Sequence, residues 1–490
     1  MSDQPLEGAR HDVVVVGGGQ AGLALSWHLV DAGVDHVVLE RETAVHDWVD
    51  RRWDAFTLVT PNWQCRLPGY GYDGPDPDGF MTRDEVHAWL RAYPATFGAP
   101  LHEGVEVLRL REHPGGGFEV TTSAGTLRAG QVVVATGGYH RPVLPPVAQR
   151  LPDDVVQLHS ADYRSPEALP AGAVLVVGSG QSGAQVAEDL LLAGRQVHLS
   201  LGSAPRVARR YRGRDCVAWL ADMGVYDAGV GTTAGGLAKR ESTNHYVTGR
   251  DGGRDIDLRA HARDRGLRLH GRLTAVERAV DTGDVAPGTG QDVRASGTGT
   301  VLRFAPSAEA SLDAADAVAE SIKDDIDAWV ERQGLDAPTE ARYEPVWRPE
   351  VEDVELDLRA EGVSAVVWAT GFRSDYRWVG VGVFDGAGAP THVRGVTTTP
   401  GLYFLGLPWL HTWGSGRFAG IARDAEHLAD AVVRHLRTTE GPADGAAAQR
   451  TSTPVPADHQ SDHQAEPPDL PAQPGPADVP VLAGERRATR

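Results

Sequence analysis

The chain has 490 residues, 41% hydrophobic and 23% charged, the profile of a globular protein with room for two to four domains. Lys+Arg number 47 against 67 Asp+Glu, a formal charge of −20, which argues against nucleic acid as a partner because phosphate-backbone binding needs a basic surface. Two Cys, Cys65 and Cys216, cannot staple a chain of this length. The apolar runs are too short to cross a bilayer and residues 1–8 lack a signal-peptide pattern, so a cytoplasmic protein without a membrane partner is expected.

Residues 11–40 read strand, glycine turn, helix, strand. Val13–Val16 runs into Gly17-Gly18-Gly19-Gln20-Ala21-Gly22, a G-x-G-x-x-G turn, and Leu23–Val30 continues as a helix. Gly17 permits the tight turn, Gly19 lets backbone approach a pyrophosphate, and Gly22 allows close helix–strand packing. The pyrophosphate would sit on free N–H groups at the helix start, Gln20 and Ala21 included. A second strand, Val37–Leu39, ends in Glu40 and Arg41, where a ribose-binding acid is expected.

Residues 173–201 repeat the pattern. Val174–Val177 leads into Gly178-Ser179-Gly180-Gln181-Ser182-Gly183, and a helix follows through Leu192. Here the second strand ends in Ser200, not an acid, and five Arg follow between 206 and 214, Arg209 and Arg210 among them. A hydroxyl and guanidinium forks suit a 2′-phosphate that a carboxylate would repel. The first site therefore suits FAD and the second NADPH, two cofactors that exchange a hydride. Strands ending in Ala135-Thr136-Gly137 and Ala369-Thr370-Gly371 lie between and after the two units.

Further on, 280–300 is rich in Gly, Thr and Asp and reads as a surface loop. Ala314, Val318, Ile322, Ile326 and Val330 mark a helix over Asp313–Gln333 that Gly334 stops. Phe418–Leu436 is another amphipathic helix. Residues 438–490 hold nine Pro and few aromatics, a composition expected to be a disordered acidic tail.

The paired glycine turns, the two Ala-Thr-Gly strand ends and Pro400–Gly406 resemble flavin-containing monooxygenases (class B) and their relatives, over residues 11–437. The resemblance implies an α/β fold of two interleaved Rossmann-like dinucleotide-binding domains. The FAD domain would use 10–165 and 365–437, the NADPH domain 166–364, with an insertion near 213–345. It implies Ala135, Thr136, Gly137, Thr370 and Gly371 at the crossovers between domains, and Gly406 beside the flavin. It also implies a monooxygenase acting through a flavin C4a-(hydro)peroxide on a small-molecule soft nucleophile and O2. Thr60–Trp63, Asp76–Met81 and Pro408–Phe418 resemble a bacterial subgroup of flavin-dependent oxidoreductases encoded beside nitrilases, which implies a nitrile- or cyanide-linked pathway.

Asn62 is the candidate donor to the flavin–oxygen adduct, and His411 the candidate for tuning or protonating it. A structural role is the alternative for each, a turn cap for Asn62 and a satisfied structural ring for His411. Trp53, Trp63, Trp409 and Trp413 are candidate pocket walls. Gly414-Ser415-Gly416 would present N–H groups to the flavin N1–C2=O edge. No Cys/His cluster has metal-ligand spacing, so no metal is expected. The sequence is compatible with a homo-oligomer as well as a monomer. In the monooxygenase link pattern His159 and Tyr163 match, while Asp153 and Val155 stand in place of Phe and Gly. That half-match supports a rival reading, an NADPH-dependent flavin reductase without oxygen insertion. A flavin-loaded, non-catalytic partner is the third reading.

Overall fold

In the computed structural model the described residues are 5–232, 236, 244–278 and 299–439. The stretch read as a tail, from 440 on, and nearly all of the loop expected over 280–300 lie outside the described residues.

Two parallel-stranded sheets organise the molecule. In the first, β1 (Arg10–Val16) runs between β2 (His36–Leu39) and β3 (Gly125–Val134), with α1 (Gln20–Asp31) crossing from β1 to β2. Four consecutive valines make β1 because both faces of a central parallel strand are buried, and Val13, Val14 and Val15 are fully so. β3 is shared lengthwise. Its first half pairs with the antiparallel strand Phe118–Thr122, and its last residues pair in parallel with β9 (Leu402–Phe404). A segment some 270 residues downstream is thereby delivered to the C-terminal end of β3, beside the first glycine turn.

The second sheet has the order β4 (Val156–His159), β8 (Val363–Trp368), β5 (Ala173–Val177), β6 (Val197–Ser200), β7 (Arg268–His270), all parallel. α2 (Gln181–Leu192) crosses from β5 to β6. The expected boundaries at 165/166 and 364/365 do not fit this pairing. β4 begins at Val156 and bonds to β8, so the chain enters the second sheet before 165 and leaves it after Trp368.

Helix α3 (Ala308–Gln333) ends where Gly334 takes a left-handed C-cap, as expected, but it starts five residues earlier than the apolar spacing suggested. Its buried stripe is Leu312, Ala315, Ala319, Ile322, Ile326, Trp329 and Val330; Ala314 is exposed. The helix α4 (Phe418–Thr439) lays Ile421, Ala425, Leu428 and Val432 against the first sheet's core. Truncating one such leucine to alanine costs about 2–5 kcal/mol. No helix among the described residues is long and apolar enough to cross a membrane.

Candidate functional site

The two glycine turns sit at the C-terminal ends of β1 and β5, where open parallel sheets bind ligands. Gly17 has φ +112°, and a Cβ there would lie 2.6 Å from the Ala135 carbonyl oxygen. The turn is thus pressed against the Ala135-Thr136-Gly137 crossover, and only glycine fits. A Cβ on Gly22 would overlap the Gly17 carbonyl oxygen, while one on Gly19 would meet nothing. Gly19 caps α1 with no side-chain hydrogen bond, so the first-turn N–H groups face the open side of the turn. Gly18 N–H donates to Glu40 Oε2 at 2.7 Å and Glu42 N–H to Oε1 at 3.0 Å, which fixes the buried Glu40 carboxylate at the turn's rim. Arg41 is exposed beside it.

The second turn copies the first. Gly178 has φ +103° and packs on the Ala369 carbonyl, Gly183 packs on the Gly178 carbonyl, and Gly180 caps α2 without a side chain. Ser182 is exposed, and Gln181 Nε2 donates to the Val247 carbonyl at 2.6 Å. Both cradles therefore fit a dinucleotide pyrophosphate: an open helix end, a side-chain-free floor, and a neighbouring crossover.

The crossovers are tied to each other. His140 Nε2 donates to the Thr136 carbonyl, and its Nδ1 accepts from Asp375 N–H at 2.8 Å. Neutral imidazole with those two partners must carry its proton on Nε2. Tyr376 O–H donates to the Gly137 carbonyl at 2.7 Å, and Ser374 to that of Gly138. Thr370 O–H donates to the Val143 carbonyl, and Thr136 Oγ1 is buried with no partner among the described residues. His159 lies 3.0 Å from the Gly371 carbonyl, as an interdomain contact.

Gly406, φ +79°, comes within packing distance of Ala21 on the first turn of α1, so the strand end reaches the first cradle. The loop beyond it then meets the insertion. Val230 N–H donates to the His411 carbonyl at 2.7 Å, and a Cβ on Gly414 would lie 2.7 Å from the Tyr226 carbonyl oxygen. Gly414 is glycine because three backbones meet there, Gly420 of α4 being the third. The one-turn helix Trp413–Gly416 precedes α4, which starts at Phe418. Burial, helped by Arg394, holds His411 below its ordinary pKa, so the ring is neutral at pH 7.

Three expected roles are altered by what the side chains touch. Asn62 is buried, and its amide braces the following loop: Nδ2 donates to the Asp76 carbonyl and Oδ1 accepts from Met81 N–H, both at 2.9 Å. It is a turn brace, not an open donor. Ser200 is 2% exposed and spends its hydroxyl on the Gly271 carbonyl and Leu273 N–H. Arg209, also 2% exposed, is committed to Asp215 at 2.6 Å and to the Val59 carbonyl, and lies over the Phe80 ring. Neither group is available to a 2′-phosphate. Arg206, Arg212 and Arg214 pair with Asp316, Asp327 and Asp222. Arg210 is exposed and has no ion pair among the described residues.

Trp53, Trp409 and Trp413 are buried, the last two within a cluster of the insertion. Cys65 and Cys216 belong to separate core clusters. Burial pushes both thiols up, Cys65 to about 12, so neither serves as a redox thiol. No metal-holding cluster occurs among the described residues. Sequence reasoning missed His140 and Tyr376. Each follows a recognised motif by only three to five residues, yet nothing local marks it as a tie.

The pyridine nucleotide-disulphide oxidoreductase family model matches residues 14–220. A CzcO-like oxidoreductase of Geobacillus kaustophilus is 30% identical over 426 residues, 86% of this chain and 99% of that protein. Indole-3-pyruvate monooxygenase YUCCA8 of rice (Oryza sativa subsp. indica) is 33% identical over 208 residues, 40% of this chain and 49% of that one. Among solved structures, a flavin monooxygenase from Stenotrophomonas maltophilia covers 88% of the chain and all of its own, with a TM-score of 0.58 at 18% identity, and so shares the fold.

Proposed function

The chain belongs to the CzcO-like oxidoreductase family, and from that premise we propose that it is an NADPH-dependent monooxygenase acting on a small soft nucleophile. It is a flavin-dependent oxidoreductase of the monooxygenase type, with FAD and NADP as cofactors. The observation that carries the finer reading is the tie between the crossovers. His140, Ser374 and Tyr376 lock the end of one cradle's sheet to the end of the other's, so two bound dinucleotides would face one another across a fixed seam.

Bound FAD supplies the redox chemistry, taking hydride from nicotinamide and passing electrons to O2. The protein's part is holding and enclosing. Gly17, Gly19, Gln20, Ala21 and Gly22 would receive the FAD pyrophosphate, with Glu40 and Arg41 at the ribose and Thr136, Gly137 and Gly406 along the chain to the flavin. Gly178, Gly180, Gln181, Ser182 and Gly183 would receive the NADPH pyrophosphate, with Arg210 meeting the 2′-phosphate and Thr370 and Gly371 at the seam. Asn62 stiffens the wall, and neutral His411 is the proton-handling group. The motif resemblance supplies a nitrile- or cyanide-linked setting for the substrate.

The test is anaerobic mixing of the holoprotein with NADPH, then exposure to labelled O2 with candidate amines, sulfides and ketones. Flavin bleaching followed by label in a product supports the reading. The half-matched link around Val155 favours a second reading, electron transfer to another acceptor, and bleaching with no label in any product would establish that instead.

A further inference from the structure

Two half-buried guanidinium groups, Arg417 and Arg52, have no carboxylate of their own among the described residues. Arg417 stands between the helix Trp413–Gly416 and α4. It lies 4.4 Å over the Trp413 ring and 5.1 Å from the Tyr226 ring, and donates one bond, from Nη1 to the Trp413 carbonyl at 2.9 Å. Arg52 rests on the Trp48 and Phe56 rings at 5.3 and 5.5 Å and donates to the Arg51 carbonyl. Asp47, the acid whose charge favours the Arg52 cation, is spent on Arg51 at 3.0 Å and His46 at 3.2 Å. The two sites adjoin: Trp48 stacks on Phe418, the residue after Arg417, at 5.6 Å. Neither arginine forms an ion pair among the described residues.

These are the marks of a place meant for an anion. The chain carries an excess of acids, and ion pairs occupy each buried arginine among the described residues, Arg206, Arg209 and Arg259, while the half-buried Arg52 and Arg417 have none. Burial pulls both Arg52 and Arg417 below the usual guanidinium range, a cost that an arriving negative charge would remove. The cofactor phosphates are not the fitting occupant, since each pyrophosphate already has a glycine turn and an uncapped helix start, and the 2′-phosphate has Arg210. Arg417 lies instead where the Gly406–Phe418 loop has left the first cradle and run beneath Tyr226 of the insertion. The surroundings are aromatic: Trp413 stacks on Tyr226 at 4.9 Å and on Trp409 at 6.4 Å.

Resting on the monooxygenase reading, we propose that Arg417, supported by Arg52, receives the carboxylate of the substrate, a small flat organic acid. Guanidinium forks take a carboxylate through two parallel N–H donors, and aromatic faces hold both the guanidinium and the acid's ring.

Phenylacetate and its neutral isostere phenylacetamide are the probes, titrated into the FAD-loaded protein. Binding is read twice, from the bound flavin's visible spectrum and from tryptophan fluorescence. Saturable binding of the acid and not the amide is expected. Arg417→Met should weaken the acid on the order of tenfold to a hundredfold, with partial recovery in Arg417→Lys and a smaller loss in Arg52→Met. Equal response to acid and amide, or no response to the acid in the unmodified protein, overturns the proposal. So does an Arg417→Met protein that sheds FAD or raises the NADPH requirement while binding the acid normally, because the anion would then be a cofactor's. Failure of the monooxygenase reading looks different: no labelled product, with the acid-specific fluorescence change intact.

Discussion

His159 Nε2 lies 3.0 Å from the carbonyl oxygen of Gly371, a residue 212 positions further along the chain. His159 ends β4 at the second sheet's edge, and Gly371 ends the crossover by which the chain leaves that sheet. One hydrogen bond thus pins the exit to the entrance, and the Phe372 ring packs edge-on against the imidazole at 4.8 Å.

His159→Ala should cost about 1–2 kcal/mol in stability. It should also slow NADPH-driven flavin reduction, because the seam that sets the distance between cofactors is loosened. His159→Gln, which keeps an N–H at similar reach, should recover part of both. Stopped-flow reduction rates beside thermal melts decide it. A rate unchanged in the alanine variant would mean the tie holds the fold without setting the cofactor geometry.

The glycines of the first turn divide by what a methyl group would meet. Gly22→Ala drives a Cβ into the Gly17 carbonyl, so the strand and helix must separate and the fold should lose ~1–3 kcal/mol. Gly19 has φ −77° and open space, so the FAD-free Gly19→Ala protein should melt together with the FAD-free parent. Its methyl would nevertheless stand where the pyrophosphate approaches, so FAD content after purification should fall sharply. An FAD-replete Gly19→Ala protein would show that the phosphate does not lie on this turn.

The glycine turns were legible in the sequence because backbone geometry forces the residue type at each position. Gly17 and Gly178 sit at φ near +100° against a carbonyl, and no other residue satisfies both demands. The roles of Asn62, Ser200 and Arg209 were not legible. Whether a polar side chain is free depends on partners distant in sequence, such as Gly271 for Ser200 and Val59 for Arg209. The domain limits failed for a related reason. β4 carries no glycine turn of its own, and only its pairing with β8 puts it in the second sheet.

Arg209 and Arg210, adjacent in sequence, should behave oppositely. Arg209→Ala strips Asp215 of its buried partner and should destabilise the protein by roughly 3–5 kcal/mol, with NADPH and NADH affected alike. Arg210→Ala removes an exposed, unpaired cation. It should leave the melting temperature alone and raise KM for NADPH about tenfold or more relative to NADH. Equal effects of Arg210→Ala on both nucleotides would take the 2′-phosphate away from this residue.

The pH dependence of stability should be set in part by two buried imidazoles under the second cradle. His198 on β6 faces His270 on β7, with Nδ1 and Nε2 3.0 Å apart. His270 Nδ1 also faces the Asp353 carbonyl, which can only accept, so His270 donates there and accepts from His198 Nδ1–H at its other nitrogen. His198 Nε2 is left buried without a partner among the described residues. Desolvation first, then the neighbouring ring, pushes the His198 pKa down to about 3, and burial lowers that of His270 as well. The folded state therefore resists protons that the unfolded chain accepts near pH 6.5. Above that pH both states are neutral and stability is flat. As pH falls below it, the unfolded state binds protons first, and His198 alone should remove on the order of 2–3 kcal/mol by pH 4.5. Denaturant unfolding at pH 7 and pH 4.5 measures this loss. His198→Leu should flatten the acid limb, because a leucine on β6 asks nothing of a proton. An acid limb equally steep in that variant would assign the loss to other groups, with His270 the next to replace.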